Sequence, residues 1–299
     1  MVSGTRLGSA GHRWCMRPDV KTPARRFRLG RIPWINAYPV TGAIDSGLVP
    51  VDAEIITGTA SELNDLMAAG ELDVSLVSAV EYARAASAYH LLPGLAISCD
   101  GPVQSVKLFS RRPVEKLDGA TVLLTASSRT SVLLLELLSR HRWQVTPKFA
   151  TVRAEASDLE SLGRLPHDAV LVIGDAALVL SDSGRYPVEA DLGEAWKRWT
   201  GLPFVFAVWA ARRQADPTRT QAMHQALLAS AAWGMAHLDE LAAAAAVSTG
   251  IPPAACRAYF DGLDYGLSYR HLAGLTDFFR RLANDGLVPD GSLSFISAA

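Results

Sequence analysis

Cysteine is scarce in this sequence of 299 residues, which contains only Cys15, Cys99 and Cys256. Their number is odd, they are far apart, and none belongs to a C-x-x-C motif or to a cysteine and histidine pattern with zinc spacing. The pattern therefore argues against a disulfide framework and against a zinc centre. Few and scattered cysteines are typical of proteins in a reducing cytoplasm.

The sequence also lacks an excess of one charge and a long apolar run. Its formal net charge is −1, so there is no global field that would favour nucleic acid or a membrane surface. No apolar run reaches the roughly 18 residues of a membrane span, and the basic residues 1–26 lack the apolar segment of a secretory signal. We expect a cytoplasmic protein in which residues 1–26 are a disordered extension, or in which translation starts at Met16. Any anionic ligand must be bound by a local site.

Apolar material is plentiful, with 49% hydrophobic and 20% charged residues, enough for a large core. From Phe27 onward, short runs such as "TVLLT" and "AVLVIG" alternate with helical patterns, and several runs are apolar on both faces. Such runs are typical of a mostly parallel sheet covered by helices. After about Ala215 only helical patterns follow. The sequence predicts a two-lobed α/β protein with lobe 1 at residues 27–108 and 212–299, lobe 2 at residues 109–211, and a ligand cleft between them.

Two polar residues stand out in apolar surroundings. In "RIPWINAYPV" a strand ends at Ile32, and Asn36 follows in a loop that would face the ligand crevice. The alternative is that Asn36 caps a turn or the next helix. In "SCDGPVQSVKLFS" Ser105 opens the strand between the lobes, where it either points into the cleft or forms an ordinary buried hydrogen bond to the backbone.

The stretch "LLTASSRTSVLLLELL" predicts a strand, a loop of small residues and a helix that begins near Ser128. Ser128, Arg129, Thr130 and Ser131 crowd the start of this helix, where free N–H groups and the helix dipole attract an anion. The pattern indicates a site for a carboxylate or a phosphate. The alternative is that Ser128 only caps the helix and that Arg129 is solvated. The loop is not a P-loop, so a nucleoside triphosphate is not expected.

In "AVLVIGDAAL" a buried strand ends at Gly174 and Asp175, where another helix begins. Asp175 is either the N-cap of that helix or a carboxylate of the cleft. None of the seven histidines lies in these stretches, so neither a Ser-His-Asp triad nor a histidine metal site can be assembled from them. We expect no metal and no cofactor, and catalysis must rest on positioning and hydrogen bonds.

Taken in order, the blocks "GRIPWINAYPV", "GELDVSLVSAVEYAR", "LPGLAISCDGPVQSVKLFSR", "LTASSRTSVLLLELL", "VLVIGDAAL" and "DLGEAWKRWTGLPFVFAVWAARR" resemble the chorismate dehydratase family of the futalosine route to menaquinone. The match covers about residues 28–213. The resemblance implies a periplasmic-binding-protein type II fold in two lobes. It also implies a cytoplasmic hydro-lyase that eliminates water from chorismate to give 3-[(1-carboxyvinyl)oxy]benzoate.

The same resemblance assigns roles to residues. Asn36 and Ser105 match the asparagine and serine of the family's cleft, and we expect them to be catalytic. Residues 128–131 match the helix start that holds a substrate carboxylate. The other expected substrate-binding residues are Ser78, Gly174 and Asp175. Because no motif contains a histidine or a lysine poised as a base, we expect the substrate's own enolpyruvyl carboxylate to take the C3 proton, with Asp175 as the alternative.

Other functions of this fold remain as alternatives. A 1,4-dihydroxy-6-naphthoate synthase-like enzyme of the same pathway would have a different N-terminal block. A non-catalytic solute-binding protein would need an export signal, and the ligand-sensing domain of a transcription regulator would need a helix-turn-helix. The only partner that we expect is a small-molecule substrate, and the sequence predicts no oligomeric state.

Overall fold

The computed structural model describes residue 1 and residues 25–152, 164–289 and 292–297. Most of the N-terminal segment that we expected to be an extension, residues 2–24, lies outside these ranges. Within the described residues the chain forms ten β-strands, arranged as two five-stranded sheets, and ten α-helices. The polypeptide is therefore an α/β protein, as predicted. No helix in the described ranges is long and apolar enough to cross a membrane.

The first sheet consists of β1 Arg28–Arg31, β2 Glu54–Thr57, β3 Val74–Ser78, β4 Tyr89–Cys99 and β10 Phe204–Arg212. Its strand order is β2-β1-β3-β10-β4. Strands β2, β1 and β3 are parallel, whereas β10 runs antiparallel to β3 and β4. The connecting helices are α1 Tyr38–Asp45, α2 Ala60–Ala68 and α3 Ala79–Arg84. Helix α2 begins with a capping box, in which Thr59 and Glu62 satisfy each other's backbone N–H groups.

The second sheet consists of β5 Val106–Ser110, β6 Thr121–Thr125, β7 Lys148–Val152, β8 Ala169–Ile173 and β9 Val188–Asp191. Its strand order is β7-β6-β8-β5-β9. Strand β6 is parallel to β7 and β8, whereas β5 is antiparallel to β8 and β9. Its helices are α4 Arg129–Leu137, α5 Asp175–Asp182 and α6 Leu192–Thr200. Both sheets are mixed rather than mostly parallel, because β5 and β10, the first strands after each crossing, run against their neighbours.

The chain crosses between the sheets twice. It leaves the first sheet after Cys99 and enters the second at Val106, then leaves the second after Asp191 and returns at Phe204. Residues 204–211, which we assigned to lobe 2, therefore belong to the first sheet, and residues 106–108, which we assigned to lobe 1, belong to the second. A buried apolar strand has the same pattern in either sheet, so the pattern could not locate the crossings. Below, lobe 1 means the part built on the first sheet and lobe 2 the part built on the second.

Helices follow the second crossing, as the sequence predicted: α7 Pro217–Ala236, α8 Leu238–Thr249, α9 Pro253–Asp261 and α10 Tyr269–Asn284. Helix α7 lies so close to α1 that a Cβ added at Gly234 would stand 2.0 Å from the carbonyl oxygen of Pro39. Helix α10 buries Phe278 against Trp196 and Phe204, with ring centroids 5.9 and 4.9 Å away. The tail is thus part of the core and supports the loop before α1.

Candidate active site

A cavity lies between the two sheets. Its empty volume is about 530 Å³, part of it open to solvent, and small-molecule sites commonly measure about 300–1,000 Å³. The lining residues are Ile32, Trp34, Asn36, Ala60, Leu76, Val77, Ser78, Ile97, Ser105, Val106, Ser128, Ser131, Ile173, Gly174, Phe206 and Ala207. Among these described residues none carries a charge. The cavity therefore offers apolar walls, hydroxyl groups and one amide.

Asn36 projects from a short 3-10 turn, Ile35–Ala37, between β1 and α1. The N-cap position of α1 is Ala37, with no side-chain hydrogen bond, so Asn36 does not cap this helix. Its Oδ1 is buried and has no hydrogen-bond partner among the described residues. A buried acceptor without a partner costs about 1–3 kcal/mol. The amide thus retains hydrogen-bonding capacity at the cavity.

Ser105 is 2% exposed and lies at the end of the first crossing. Its backbone N–H donates to the carbonyl oxygen of Val103 over 2.7 Å, which closes a three-residue turn around Gln104, whose φ is +63°. Such a turn is rare and strained for a residue other than glycine. The Asp191 carboxylate holds it by accepting the N–H groups of Val103 and Gln104 over 3.0 and 2.7 Å. The hydroxyl of Ser105 accepts a hydrogen bond from Tyr259 over 2.7 Å.

The start of helix α4 supplies two further hydroxyls. Ser128 is the N-cap; its Oγ accepts the N–H of Ser131 over 3.2 Å and donates to Ser131 Oγ over 2.9 Å. Both serines line the cavity. Thr130 points elsewhere, because its Oγ1 accepts the N–H of Val80 in lobe 1 over 3.2 Å. Of the three hydroxyls predicted at this helix start, the structure brings two to the cavity.

Arg129 does not line the cavity. Its guanidinium forms ion pairs with two carboxylates of lobe 1, Asp65 at 2.5 Å and Glu81. We expected this side chain either to hold a substrate carboxylate or to be solvated, and the structure places it on protein carboxylates instead. The physical reason is that the Glu81 side chain is only 7% exposed and a buried carboxylate needs a cation. The residue pattern of each helix, taken alone, does not reveal that ion pair.

Ser78 and Gly174 line the cavity from opposite lobes. Ser78 is the N-cap of α3, and its Oγ accepts hydrogen bonds from the N–H of Glu81 and, over 3.0 Å, from Asn64 Nδ2. Gly174 has a φ of +66°, and a Cβ there would stand 3.3 Å from the ring of Trp34. The Trp34 indole of lobe 1 therefore covers the backbone of lobe 2 at this point. The local pattern around neither residue predicts this contact.

Asp175 is the first residue of α5 rather than its N-cap, which is Gly174. Its Oδ1 accepts the N–H of Ile35 in lobe 1 over 3.3 Å. Burial raises the pKa of the Asp175 carboxyl to about 6, and this hydrogen bond opposes the shift only in part. Asp175 is absent from the cavity lining but contacts the turn that carries Asn36.

Comparison with known proteins identifies the family. A family model described as menaquinone biosynthesis matches residues 27–284. The chain belongs to this family. Membership makes it an enzyme of menaquinone biosynthesis, and it confirms the resemblance drawn from the sequence blocks.

The chain of this menaquinone-biosynthesis enzyme is similar in sequence to two curated relatives and in fold to a solved structure. The chorismate dehydratase of Thermus thermophilus is 35% identical over 243 residues, 76% of this chain and 86% of the relative. The 1,4-dihydroxy-6-naphthoate synthase of the same organism is 27% identical over 218 residues, 72% of this chain and 76% of the relative. A Candida albicans protein with the generic periplasmic binding protein fold has a TM-score of 0.68 at 11% identity, covering 92% of this chain and 98% of its own. The predicted two-lobed periplasmic-binding-protein fold is confirmed.

The menaquinone-biosynthesis enzyme has site features that our reading of the sequence missed. Tyr259 comes from α9, where the pattern "CRAYFDGL" indicates only packing, and Phe206 comes from a strand that we placed in the other lobe. Within the described ranges, no group of three or more His, Cys, Asp or Glu side chains could hold a metal ion. The groups that line the cavity are uncharged, and the Asp175 carboxyl lies beside it, in contact with Ile35.

Proposed function

We propose that this enzyme is a chorismate dehydratase, a hydro-lyase that eliminates water from chorismate to give 3-[(1-carboxyvinyl)oxy]benzoate. The observation that carries the proposal is the juxtaposition of Asn36 and Ser105 at one cavity between the lobes. The chain is also more similar to the dehydratase of Thermus thermophilus, at 35% identity, than to its naphthoate synthase, at 27%. A cytoplasmic site of action, as expected from the sequence, is part of this proposal.

The ring carboxylate of chorismate would bind at the start of α4. Ser128 and Ser131 supply hydroxyls there, and the helix dipole adds about 0.3–1 kcal/mol, or ~2 kcal/mol when the site is partly buried. This site can hold a carboxylate without any cationic side chain in the cavity. Arg129 would act indirectly, by joining α4 to the carboxylates of lobe 1.

In the elimination, a base takes the proton from C3, and the electrons of the C–H bond form a new ring double bond. The bond from C4 to its hydroxyl breaks, and the departing hydroxide gains a proton to become water. The product ring is aromatic, which supplies much of the driving force. Charge develops on the ring carboxylate and on the departing oxygen. Asn36 and Ser105 are the uncharged groups that would orient the substrate and stabilise this charge.

The base in this proposal is the substrate's own enolpyruvyl carboxylate. A carboxylate bound beside an arginine or a lysine has a lowered pKa and is a weaker base. None of the described lining residues is cationic, so the carboxylate would keep its basicity in this cavity. Asp175 is the second candidate, because its raised pKa of about 6 suits a base. One of its oxygens is, however, engaged by Ile35.

The test is turnover of chorismate by the purified chain. We expect a product one water lighter, and we expect Asn36→Ala and Ser105→Ala each to lower turnover by about 10²–10³-fold, the usual effect of removing such a donor. Ser230→Ala is a matched control, because Ser230 is a buried serine of α7 outside the cavity. No loss of water from chorismate by the unaltered chain would refute the proposed function.

A substrate analogue tests the identity of the base. Chorismate with its side-chain carboxylate replaced by a neutral amide should lose water at least 100-fold more slowly, about the lower end of the effect of general base catalysis. A comparable rate with this analogue would exclude the substrate carboxylate as base. Asp175 would then take that role.

A further inference from the structure

Tyr259 forms a buried hydrogen bond behind the candidate catalytic serine. It belongs to α9, is 1% exposed, and its Oη lies 2.7 Å from Ser105 Oγ. Within the part of the chain that the structure describes, this is the only hydrogen bond of the Tyr259 hydroxyl. Ser105 has one other contact for its hydroxyl, the carbonyl oxygen of Val103 at 3.5 Å.

These distances determine where the two hydroxyl protons point. A buried O–H group without an acceptor costs about 1–3 kcal/mol, and Ser105 Oγ is the acceptor within reach of Tyr259. Tyr259 is therefore the donor of this bond, and the Ser105 proton cannot occupy the same line. Val103 at 3.5 Å lies beyond the roughly 2.5–3.0 Å of a good O–H···O bond. The remaining direction for the Ser105 proton is the cavity.

The surroundings of Tyr259 keep its hydroxyl protonated. Burial raises its pKa, and the nearby carboxylates of Asp175 and Asp191 raise it further. A hydroxyl that accepts a hydrogen bond also becomes a better donor in a water-poor site. The Tyr259 hydroxyl is thus a permanent donor. It orients the Ser105 hydroxyl and makes it a stronger hydrogen-bond donor.

We propose that Tyr259 is a positioning residue of this enzyme, which directs the Ser105 proton into the cavity, toward the oxygen that leaves the substrate. The inference rests on the proposed dehydratase function but goes beyond it, since Tyr259 does not line the cavity. It acts through Ser105 alone. Its removal should therefore affect the chemical step and not the binding of substrate.

The experiment is a double-mutant cycle with Tyr259→Phe, which removes only the hydroxyl. In the otherwise unaltered chain we expect Tyr259→Phe to lower kcat on chorismate by about tenfold, the usual worth of one such hydrogen bond, with KM changed less than about twofold. In a Ser105→Ala background the same change should have no further effect, because residues that act as a unit are not additive.

A neighbouring tyrosine provides the control. Tyr265 is 6% exposed and its hydroxyl has no partner among the described residues, so Tyr265→Phe should leave kcat unchanged. If Tyr259→Phe leaves kcat unchanged, or lowers it equally with and without Ser105, the positioning role is wrong while the dehydratase function stands. If the unaltered chain does not convert chorismate, the dehydratase function and the positioning role are both wrong.

Discussion

At the scale of single residues, two polar groups do not favour folding, one that lines the cavity and one beside it. Asn36 buries an amide oxygen that has no partner among the described residues, and Asp175 buries a carboxyl whose pKa is raised to about 6. Both lie where lobe 1 meets lobe 2, since Asp175 accepts the N–H of Ile35. Native proteins satisfy most buried polar groups, and exceptions concentrate at functional sites. These two residues are therefore better explained by a ligand than by stability.

The raised pKa of Asp175 predicts how stability depends on pH. The carboxyl titrates near 3.8 in the unfolded chain and at about 6 in the folded protein. Between these values the folded state binds more protons, so the free energy of unfolding falls as pH rises from about 4 to 6. Asp175→Asn removes the buried charge and should stabilise the protein at pH 7.5 by up to about 3 kcal/mol. Urea unfolding at pH 4.5 and 7.5 measures this difference.

Asp182→Asn, at the exposed end of the same helix, controls for the loss of one negative charge. An equal gain with Asp182→Asn, or an undiminished fall in stability toward neutral pH in Asp175→Asn, would contradict the prediction. The turnover of Asp175→Asn is informative in the same samples. It should fall less than that of Asn36→Ala, because we assign the proton to the substrate carboxylate.

At the scale of elements, the contact between α1 and α7 positions the turn that carries Asn36. Pro39 is the second residue of α1, just after this turn, and Gly234 of α7 faces its carbonyl oxygen. Alanine normally stabilises a helix relative to glycine by about 1 kcal/mol. At Gly234, however, a Cβ would stand 2.0 Å from the Pro39 oxygen. The backbone of one helix would have to move.

We therefore predict that Gly234→Ala lowers both the melting temperature and the turnover of chorismate, the opposite of its intrinsic helix propensity. Overpacking of this kind typically costs about 1–3 kcal/mol. Gly42→Ala in α1 is the matched control, because the atom nearest its Cβ would be the flexible end of Leu241 at 2.8 Å, and the Trp233 ring would lie at an ordinary 3.9 Å. Thermal unfolding and turnover of both variants check this. A Gly234→Ala protein as stable and active as the Gly42→Ala protein would show that the helices can separate without disturbing Asn36.

Elements also show what the sequence predicts well. Local residue order predicts that a helix begins near Ser128, and the structure has Ser128 as the N-cap of α4. Local residue order does not predict the partner of a side chain when that partner is far away in the sequence. Arg129 begins a helix that attracts anions, but its ion pairs are with Asp65 and Glu81 of the other lobe. Helix starts are local properties, whereas side-chain partners depend on tertiary contacts.

At the scale of the whole molecule, apolar strands predicted the α/β class, and the family resemblance predicted the two-lobed fold. The positions of the crossings could not be predicted, because β5 and β10 are buried and apolar whichever sheet they join. The hydrogen bond that positions Ser105 could not be predicted either. Tyr259 and Ser105 are 154 positions apart, and nothing in either local pattern connects them.

The two lobes are joined across the cavity by contacts that α4 makes with lobe 1. Thr130 accepts the N–H of Val80, and Arg129 pairs with Asp65 and Glu81. We propose that a substrate enters when the lobes separate, which requires these contacts to break. The Arg129 pairs then resist opening, since Glu81 is buried and loses its cation when the lobes part. Their loss should make the enzyme both less stable and easier to open.

We predict that Arg129→Ala lowers the free energy of unfolding by about 1–3 kcal/mol, the cost of leaving the buried Glu81 carboxylate without its partner. The Arg129 side chain is 30% exposed, so the loss is smaller than for a fully buried ion pair. The variant should also raise the rate at which product dissociates, measured by stopped-flow tryptophan fluorescence, because Trp34 lines the cavity. Combining Arg129→Ala with Glu81→Gln removes the unpaired charge, so stability should recover in part. Dissociation should stay fast, because no link between the lobes is restored.

The comparison that isolates the interlobe contact is Arg198→Ala. Arg198 forms an exposed pair with Glu194 within one helix of lobe 2, and such pairs are worth about 0.3–0.5 kcal/mol. This variant should have nearly unaltered stability and dissociation. If the double variant releases product as slowly as the unaltered chain, then Arg129 acts only by neutralising Glu81. The barrier to opening would then lie in other interlobe contacts, among them those of Thr130 with Val80, Ser61 with Ala126 and Arg140 with Asp285.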